Sequence, residues 1–209
     1  MLGSRVKICG ITSIDAATKA VECGAHALGF VFFEKSPRAI SSSNAAALIQ
    51  QLPPFVCTVG LFVNETKEVV QATAKDCKLD LLQFHGDEPD HFCAQFDRPF
   101  IKAVRVKSRA CIEQALIDFP NAKALLLDAY VENQPGGTGQ QFDWQLIPKN
   151  CDKPLIVAGG LTADNVGDAI KAVQPFAVDV SGGVERLKGV KDLDKIQQFI
   201  DAVDAAYQE

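Results

Sequence analysis

The sequence has no long hydrophobic run, no block of basic residues and no pattern typical of a secretory signal. Its longest uninterrupted apolar stretch, residues 27–33, falls far short of the about 20 residues that a membrane-spanning helix needs. Its 21 Lys and Arg residues are outnumbered by 26 Asp and Glu residues, which gives a formal net charge of −5. Proteins that bind nucleic acids through charge need the opposite balance. We therefore expect a cytoplasmic protein that binds neither membranes nor nucleic acids.

Paired-cysteine motifs are also missing. The seven cysteines are an odd number and none has C-x-x-C spacing, so the sequence predicts neither a disulfide framework nor a zinc ribbon. Reduced thiols in a cytosol fit this pattern. The remaining composition, with 47% hydrophobic and 22% charged residues, is that of a globular protein. Because no linker or shift in composition divides the 209 residues, we expect a single domain over residues 1–209.

Short apolar runs alternate with segments of helical periodicity from one end of the chain to the other. The predicted strands are 6–9, 27–32, 56–62, 79–83, 100–104, 124–128, 155–158 and 177–180. The predicted helices include 14–23, 45–52, 65–75, 110–119, 165–173 and 193–207. Eight strand–helix units of this length predict a parallel eight-stranded (β/α)8 TIM barrel. A doubly wound dinucleotide-binding fold would show G-x-G-x-x-G after the first strand, where Cys9-Gly10-Ile11-Thr12 stands.

Polar residues and glycines stand where the predicted strands end. They are Cys9, Asn64, His85, Arg105, Asp128, Gly159-Gly160 and Ser181-Gly182-Gly183. In a (β/α)8 barrel the carboxyl ends of the strands meet at one face, and active sites lie there. A barrel with a purely structural role does not need this pattern. The sequence therefore predicts a functional site at that face.

Two glycine pairs follow the seventh and eighth predicted strands. Gly159 and Gly160 follow strand seven, and Gly182 and Gly183 come after Ser181 at the end of strand eight. Glycine lets backbone N–H groups approach an anion closely, and these two loops form the usual phosphate site of this barrel. Two tight turns that need a positive φ are the alternative. We expect a phosphorylated small-molecule ligand at these five residues.

Cys9 and Asp128 end strands one and six, on opposite sides of the predicted barrel. Next to Lys7 and close to a helix start, the Cys9 thiol is expected to have a lowered pKa and to act as a base or nucleophile. A core thiol is the alternative for Cys9. Asp128 is the only charge on its strand, and a helix-capping role is the alternative for it. Together the two residues could flank a ligand with an acid and a base.

Three further features belong to the same face. Arg38 follows Pro37 on the loop after strand two, where it could bind a carboxylate through both arms of its guanidinium, or simply be a solvated surface residue. The turn at His85 has several polar side chains, but adjacent residues in a turn cannot easily converge on one ion, so no metal is expected. The glycine-rich segment 134–139 is a candidate lid.

Several motifs occur in order from residue 6 to about residue 192. They are Lys7-Ile8-Cys9-Gly10-Ile11-Thr12, Gly29-Phe30-Val31-Phe32-Phe33 with Ser36-Pro37-Arg38, Val59-Gly60-Leu61-Phe62-Val63-Asn64, Leu82-Gln83-Phe84-His85-Gly86-Asp87-Glu88, Leu127-Asp128 with Gly136-Gly137-Thr138-Gly139, Phe142-Asp143-Trp144, Ala158-Gly159-Gly160-Leu161, Asn165-Val166, and Asp179-Val180-Ser181 through Val184-Glu185. In this order they resemble the phosphoribosylanthranilate isomerase family of tryptophan biosynthesis. Two departures are Gly182, where members often have a second serine, and Thr162-Ala163-Asp164, which replaces a proline-containing turn.

The resemblance implies an Amadori rearrangement of N-(5-phosphoribosyl)anthranilate, an aminoaldose, to the corresponding aminoketose. Asp128 matches the family's general acid and Cys9 its general base, while Arg38 would hold the anthranilate carboxylate. Lys7, His85 and Asp179 are further substrate-binding candidates without an assigned role. The iminium formed on ring opening accepts the electrons, so no cofactor is expected. A monomer is favoured over a dimer.

Two alternatives stay open. The first is another phosphoribosyl barrel enzyme, although the ring-closing indole synthase would be expected to use lysine and glutamate, and the histidine-pathway isomerase an aspartate where Cys9 stands. The second is a non-catalytic barrel that only binds a phosphorylated ligand. Such a protein would keep the glycine loops but would have no use for both Cys9 and Asp128.

Overall fold

A closed ring of eight parallel strands forms the centre of the molecule. The computed structural model describes residues 5–129, 142–149 and 151–207. The strands are β1 (Arg5–Cys9), β2 (Ala27–Val31), β3 (Cys57–Phe62), β4 (Leu81–Phe84), β5 (Phe100–Val106), β6 (Ala124–Ala129), β7 (Leu155–Val157) and β8 (Ala177–Val180). Each strand pairs with its neighbours in chain order, and β8 closes the barrel against β1 with Lys7 opposite Asp179.

Helices connect the strands on the outside of the barrel. They are α1 (Ile14–Glu22), α2 (Ser42–Ile49), α3 (Lys67–Asp76), α4 (Asp90–Cys93), α5 (Arg109–Asp118), α6 (Val166–Val173) and α7 (Leu193–Ala205). Ser13, Ser41 and Thr66 begin the first three, each accepting a hydrogen bond from the backbone N–H three residues later. Between β6 and β7, the described residues contain one helical element, the 3₁₀ turn Trp144–Leu146.

Alternation of side chains along the strands divides the core into two layers. The outer layer lies between the strands and the helices, and includes the fully buried Phe30, Phe62 and Phe84. The inner layer fills the barrel toward the amino ends of the strands with small and aliphatic side chains. They are Ile101, Ala103, Ala124, Leu126, Ile156, Ala158 and Ala177. A smaller cluster of Cys9, Val31 and Leu61 lies toward the carboxyl ends of the strands.

A short antiparallel hairpin follows β8 before α7 begins. Its strands are β9 (Glu185–Leu187) and β10 (Val190–Lys191). The hairpin packs closely on the loop after β2 at Gly189. This residue has a φ of +82°, and a Cβ on it would collide with the Pro37 carbonyl oxygen. Glycine alone fits such a position comfortably. The hairpin was not predicted from the sequence.

The structure confirms the predicted eight-stranded (β/α)8 barrel, and the predicted strand bounds agree with the observed ones to within two residues. The predicted helix at 45–52 begins earlier, at Ser42, because Ser41 caps it. The candidate lid at residues 134–139 lies outside the described residues. None of the helices in the described ranges is long and apolar enough to span a membrane.

Candidate active site

A cavity of about 310 Å³ lies at the carboxyl ends of the barrel strands. Its lining includes every predicted site residue except Lys7. These are Cys9, Arg38, His85, Asp128, Gly159, Gly160, Asp179, Ser181, Gly182 and Gly183. Lys7 lies on β1 two residues before Cys9, and its Nζ is 2.7 Å from Asp179 Oδ1 inside the barrel. The barrel topology thus brings together residues that are far apart in the sequence, such as Lys7 and Asp179, which are 172 positions apart.

Cys9 is buried at the wall of this cavity, with 5% of its surface exposed. Burial raises the pKa of the Cys9 thiol, and the neighbouring Lys7 ammonium offsets part of that rise. The expected lowering of this pKa is therefore wrong, because the thiol lies in the barrel interior. For Lys7, burial alone would lower the pKa, but Asp179 and Cys9 raise it above its ordinary value. Lys7 is thus a fixed cation that faces both groups.

Gly29 makes the space that the Cys9 and Lys7 side chains occupy. It is the register partner of Cys9 on β2. A Cβ on Gly29 would lie 2.8 Å from Cys9 Sγ and 3.2 Å from Lys7 Cε. Sequence reasoning gave Gly29 no role in the site. The strand register could have found it, because parallel neighbours of a catalytic candidate share its face.

Asp128 faces the cavity from β6, with its carboxylate held on two sides. Oδ1 accepts a hydrogen bond from the Ala129 backbone N–H at 2.9 Å, and Oδ2 is 3.2 Å from His85 Nε2. Gly159 leaves room for this arrangement, since a Cβ there would lie 2.9 Å from Asp128 Oδ1. The carboxylate therefore points into the site, where it can give or take a proton.

His85 links Asp128 to a second buried side chain that sequence reasoning missed. Its Nδ1 is 3.0 Å from Nε2 of Gln83, which is fully buried on β4. The backbone around His85 is fixed as well. His85 N–H donates to the Phe62 carbonyl, and the Glu88 carboxylate accepts from the next N–H, that of Gly86. The sequence could have identified Gln83, because side chains two residues apart on a strand share a face, and this places residues 83 and 85 together.

Arg38 is not a surface residue but part of a buried ion pair. Its Nε donates to Glu185 Oε1 at 2.7 Å and its Nη2 to Glu185 Oε2 at 2.9 Å, and Arg38 is only 9% exposed. Lys191 Nζ also reaches Glu185 Oε1, at 3.0 Å. The solvated-surface alternative for Arg38 is therefore wrong. Glu185 and Lys191 were not predicted, because both lie on the hairpin that the sequence did not reveal.

The cluster contains two cations, Arg38 and Lys191, and one anion, Glu185. Burial works to raise the pKa of Glu185, but the hydrogen bond from Arg38 and the charge of Lys191 lower it below its ordinary value. Burial lowers the pKa of Lys191, and Glu185 offsets part of this. Lys191 Nζ also donates to the Ser181 carbonyl oxygen at 3.0 Å. The hairpin thereby ties the Arg38 loop to the loop after β8.

The two glycine loops present backbone N–H groups to the cavity. Gly159 and Gly160 have φ values of +78° and +65°, a region that favours glycine. Gly182 and Gly183 belong to a 3₁₀ turn, and a Cβ on Gly183 would collide with the Leu161 carbonyl oxygen. Within the described ranges, the N–H groups of Gly160, Gly182 and Gly183 have no acceptor. Clustered N–H groups of this kind attract anions.

Ser181 is tied to the end of β1. Its hydroxyl donates to the Cys9 carbonyl oxygen at 2.9 Å and accepts from Lys191 Nζ at 3.3 Å. The side chain thus holds the backbone of Cys9 in place.

A family model described as N-(5'-phosphoribosyl)anthranilate (PRA) isomerase matches residues 6–202. The chain belongs to this family. The N-(5'-phosphoribosyl)anthranilate isomerase of Pseudomonas fluorescens strain Pf0-1 is 56% identical over 203 residues, which are 97% of this chain and all of the relative. The family membership agrees with the resemblance seen in the motifs.

Solved structures of the same family superpose closely on the barrel. One is a phosphoribosyl anthranilate isomerase in complex with reduced 1-(o-carboxyphenylamino)-1-deoxyribulose 5-phosphate, with a TM-score of 0.84, 40% identity, and coverage of 97% of this chain and 99% of that chain. Another represents monomers generated from the dimeric enzyme of Thermotoga maritima, with a TM-score of 0.87, 40% identity, and the same coverage of both chains.

Proposed function

We propose that this protein is a phosphoribosylanthranilate isomerase of tryptophan biosynthesis. It converts N-(5-phosphoribosyl)anthranilate to 1-(2-carboxyphenylamino)-1-deoxy-D-ribulose 5-phosphate by an Amadori rearrangement. The observation that carries the proposal is the single cavity that Cys9, Asp128 and both glycine loops line. The ligand of the related complex has the same three parts that this cavity would have to hold, namely a phosphate, a sugar chain and a carboxyphenyl group.

The first chemical step belongs to Asp128. In its protonated form it donates a proton to the ribose ring oxygen, and the ring opens to an iminium ion at C1′. Asp128 is left as a carboxylate, which the Ala129 N–H and His85 Nε2 contact. Because the iminium accepts the electrons of the next step, they stay within the substrate.

The second step belongs to Cys9. Its thiolate removes the proton from C2′, and the C2′–H electron pair moves to form the enolamine, which then tautomerises to the ketone. Since burial raises the pKa of Cys9, the thiolate is a minor form at neutral pH. Lys7, whose ammonium faces Cys9, is the cation that stabilises it.

Arg38 would bind the anthranilate carboxylate. Glu185 occupies the side of the guanidinium formed by Nε and Nη2, which leaves the end formed by Nη1 and the second N–H of Nη2. That end is a second fork of the right geometry for a carboxylate. In this interpretation Glu185 orients Arg38 and the cavity-facing end of Arg38 binds substrate.

The glycine loops would bind the phosphate through the N–H groups of Gly160, Gly182 and Gly183, which are paired with no described acceptor. Gly159 and Ser181 would shape the same site, with the Ser181 side chain committed to the Cys9 carbonyl. Asp179 would act by holding Lys7 beside Cys9.

The direct experiment is a fluorescence assay that follows the loss of phosphoribosylanthranilate with the purified protein. We expect turnover at the same rate with and without a chelator, since no step uses a metal. No conversion by a folded preparation, or conversion only of a different phosphoribosyl substrate, would contradict the proposal.

A monomer in the cytoplasm remains our prediction for the assembly and location. One feature favours the other state, since Phe55 is fully exposed on the loop before β3 and is a large apolar side chain that a dimer would cover. Light scattering of the purified protein distinguishes the two states. A molar mass near twice the 22.5 kDa of the chain would contradict the monomer.

A further inference from the structure

Gln83, His85 and Asp128 form a continuous buried chain of side chains. Gln83 Nε2 lies 3.0 Å from His85 Nδ1, and His85 Nε2 lies 3.2 Å from Asp128 Oδ2. Their exposed fractions are 0%, 7% and 5%. Such a linear order fixes the roles of the two imidazole nitrogens, because a neutral imidazole has one donor and one acceptor.

The direction of the chain follows from its two ends. Nε2 of Gln83 can only donate, so His85 Nδ1 accepts and the proton of the imidazole lies on Nε2. Nε2–H then donates to Asp128. The other tautomer would point a lone pair at a carboxylate once Asp128 had lost its proton, which is repulsive in a buried site.

Gln83 also has an unpaired group that a purely structural residue would not need. Its Oε1 is buried and has no hydrogen-bond partner among the described residues, which destabilises the fold. Its register partner on β5, Ile101, belongs to the apolar inner layer. The hydrogen bond that the Gln83 side chain makes is the one with His85.

We propose that Gln83 and His85 are positioning residues for Asp128. Gln83 holds His85 in the Nε2–H tautomer, and His85 donates to the carboxylate that remains after Asp128 has delivered its proton. The inference rests on the proposed function for the role of Asp128, whereas the tautomer of His85 is a property of the protein alone.

The first test is long-range ¹H–¹⁵N NMR of the full chain. With only three histidines in the sequence, a His85→Gln sample identifies the His85 signals by their loss. We expect the Nε2–H tautomer in the parent and a shift toward the Nδ1–H tautomer in Gln83→Leu, which keeps the bulk of the side chain but not its donor. The Nδ1–H tautomer in the parent, or an unchanged spectrum in Gln83→Leu, would overturn the proposal.

The second test separates positioning from folding. Gln83→Leu should lower kcat by roughly 10–100-fold, as for other supporting partners that orient a working group, while KM changes less than about threefold and the melting temperature does not fall. Ile101→Val, a change in the same interior layer at the register partner of Gln83 on β5, is the matched control and should keep kcat. A Gln83→Leu variant with the kcat of the parent would overturn the proposal.

A third comparison asks whether the donor to Asp128 is what matters. In His85→Gln the amide nitrogen reaches the position of Nε2, whereas in His85→Asn it reaches only that of Nδ1. We expect His85→Gln to keep at least tenfold more kcat than His85→Asn, and equal losses would count against the donor role. A parent with the Nε2–H tautomer but no isomerase turnover would contradict the proposed function and leave the tautomer assignment supported.

Discussion

Arg38 and Glu185 form a bidentate ion pair beneath the mouth of the cavity, with Nε–Oε1 and Nη2–Oε2 distances of 2.7 and 2.9 Å. The pair joins the loop after β2 to the hairpin after β8. It occupies one edge of the guanidinium and leaves the other edge for a ligand. In the proposed function, binding and stability therefore depend on different partners of the same arginine.

Arg38→Ala should raise KM for phosphoribosylanthranilate by more than tenfold, because a charge-assisted contact of about 1.5–3 kcal/mol is lost. Arg38→Lys should restore only part of the affinity, since an ammonium cannot contact Glu185 and a carboxylate as two forks. Steady-state kinetics of both variants measures this. An Arg38→Ala enzyme with the KM of the parent would remove Arg38 from the substrate site.

Glu185→Gln should destabilise the fold by about 3–5 kcal/mol, because Arg38 and Lys191 are left as buried cations without their shared anion. The pKa of Glu185 is lowered in the folded protein. The carboxylate therefore stabilises the fold at pH values above 4.5, which is the ordinary pKa of a glutamate. This stabilisation is lost as the pH falls through the folded pKa. Thermal melts should therefore show a large difference between variant and parent at pH 7 and a smaller one below about pH 4. Glu113→Gln, on the exposed side of α5, is the control and should melt like the parent at both pH values.

Gly182→Val should weaken phosphate binding while the protein still folds. A Cβ on Gly182 meets only Arg38 Nη2, at 3.4 Å, so the added side chain enters the cavity without striking backbone. Gly183→Val is a poorer test, because its Cβ would collide with Leu161. Calorimetric titration with inorganic phosphate should show at least tenfold weaker binding for Gly182→Val and little change for Ser181→Ala. Parent-like titration by folded Gly182→Val would place the phosphate elsewhere.

The activity of the free enzyme should rise with pH across the neutral range. Because burial raises the pKa of Cys9 above 9.0, the reactive thiolate increases with each pH unit, and kcat/KM should increase with it. Cys111 provides the control, since its pKa is lowered by a hydrogen bond with Ser108 and it lies away from the cavity. Cys111→Ser should leave the profile unchanged. A profile that is flat between pH 7 and 9 would contradict the assignment of the Cys9 thiolate as the base.

The barrel was predictable because strands buried on both faces read as continuous apolar runs. The position of Cys9 and Asp128 at the cavity was predictable because Cys9 ends its strand and Asp128 follows an apolar run. The direction of the Cys9 pKa shift was predicted wrongly. The sequence shows the neighbouring Lys7, which lowers this pKa, but it does not show how deeply the thiol is buried, which raises it. Glu185 and Lys191 were missed for a related reason. A three-residue strand followed by a tight turn has too little periodicity to reveal which side chains point inward.

The role of Cys9 as the base is tested most directly by two measurements on Cys9→Ala. They are its turnover and its affinity for the reduced product analogue that is bound in the related complex. Loss of a general base lowers kcat by about 10²–10⁴-fold, whereas the thiol contributes little to ground-state binding. We expect stopped-flow fluorescence to show that loss of kcat while calorimetry shows an analogue affinity within about threefold of the parent. A Cys9→Ala enzyme that keeps more than about a tenth of the parent kcat would contradict the central claim that Cys9 is the base.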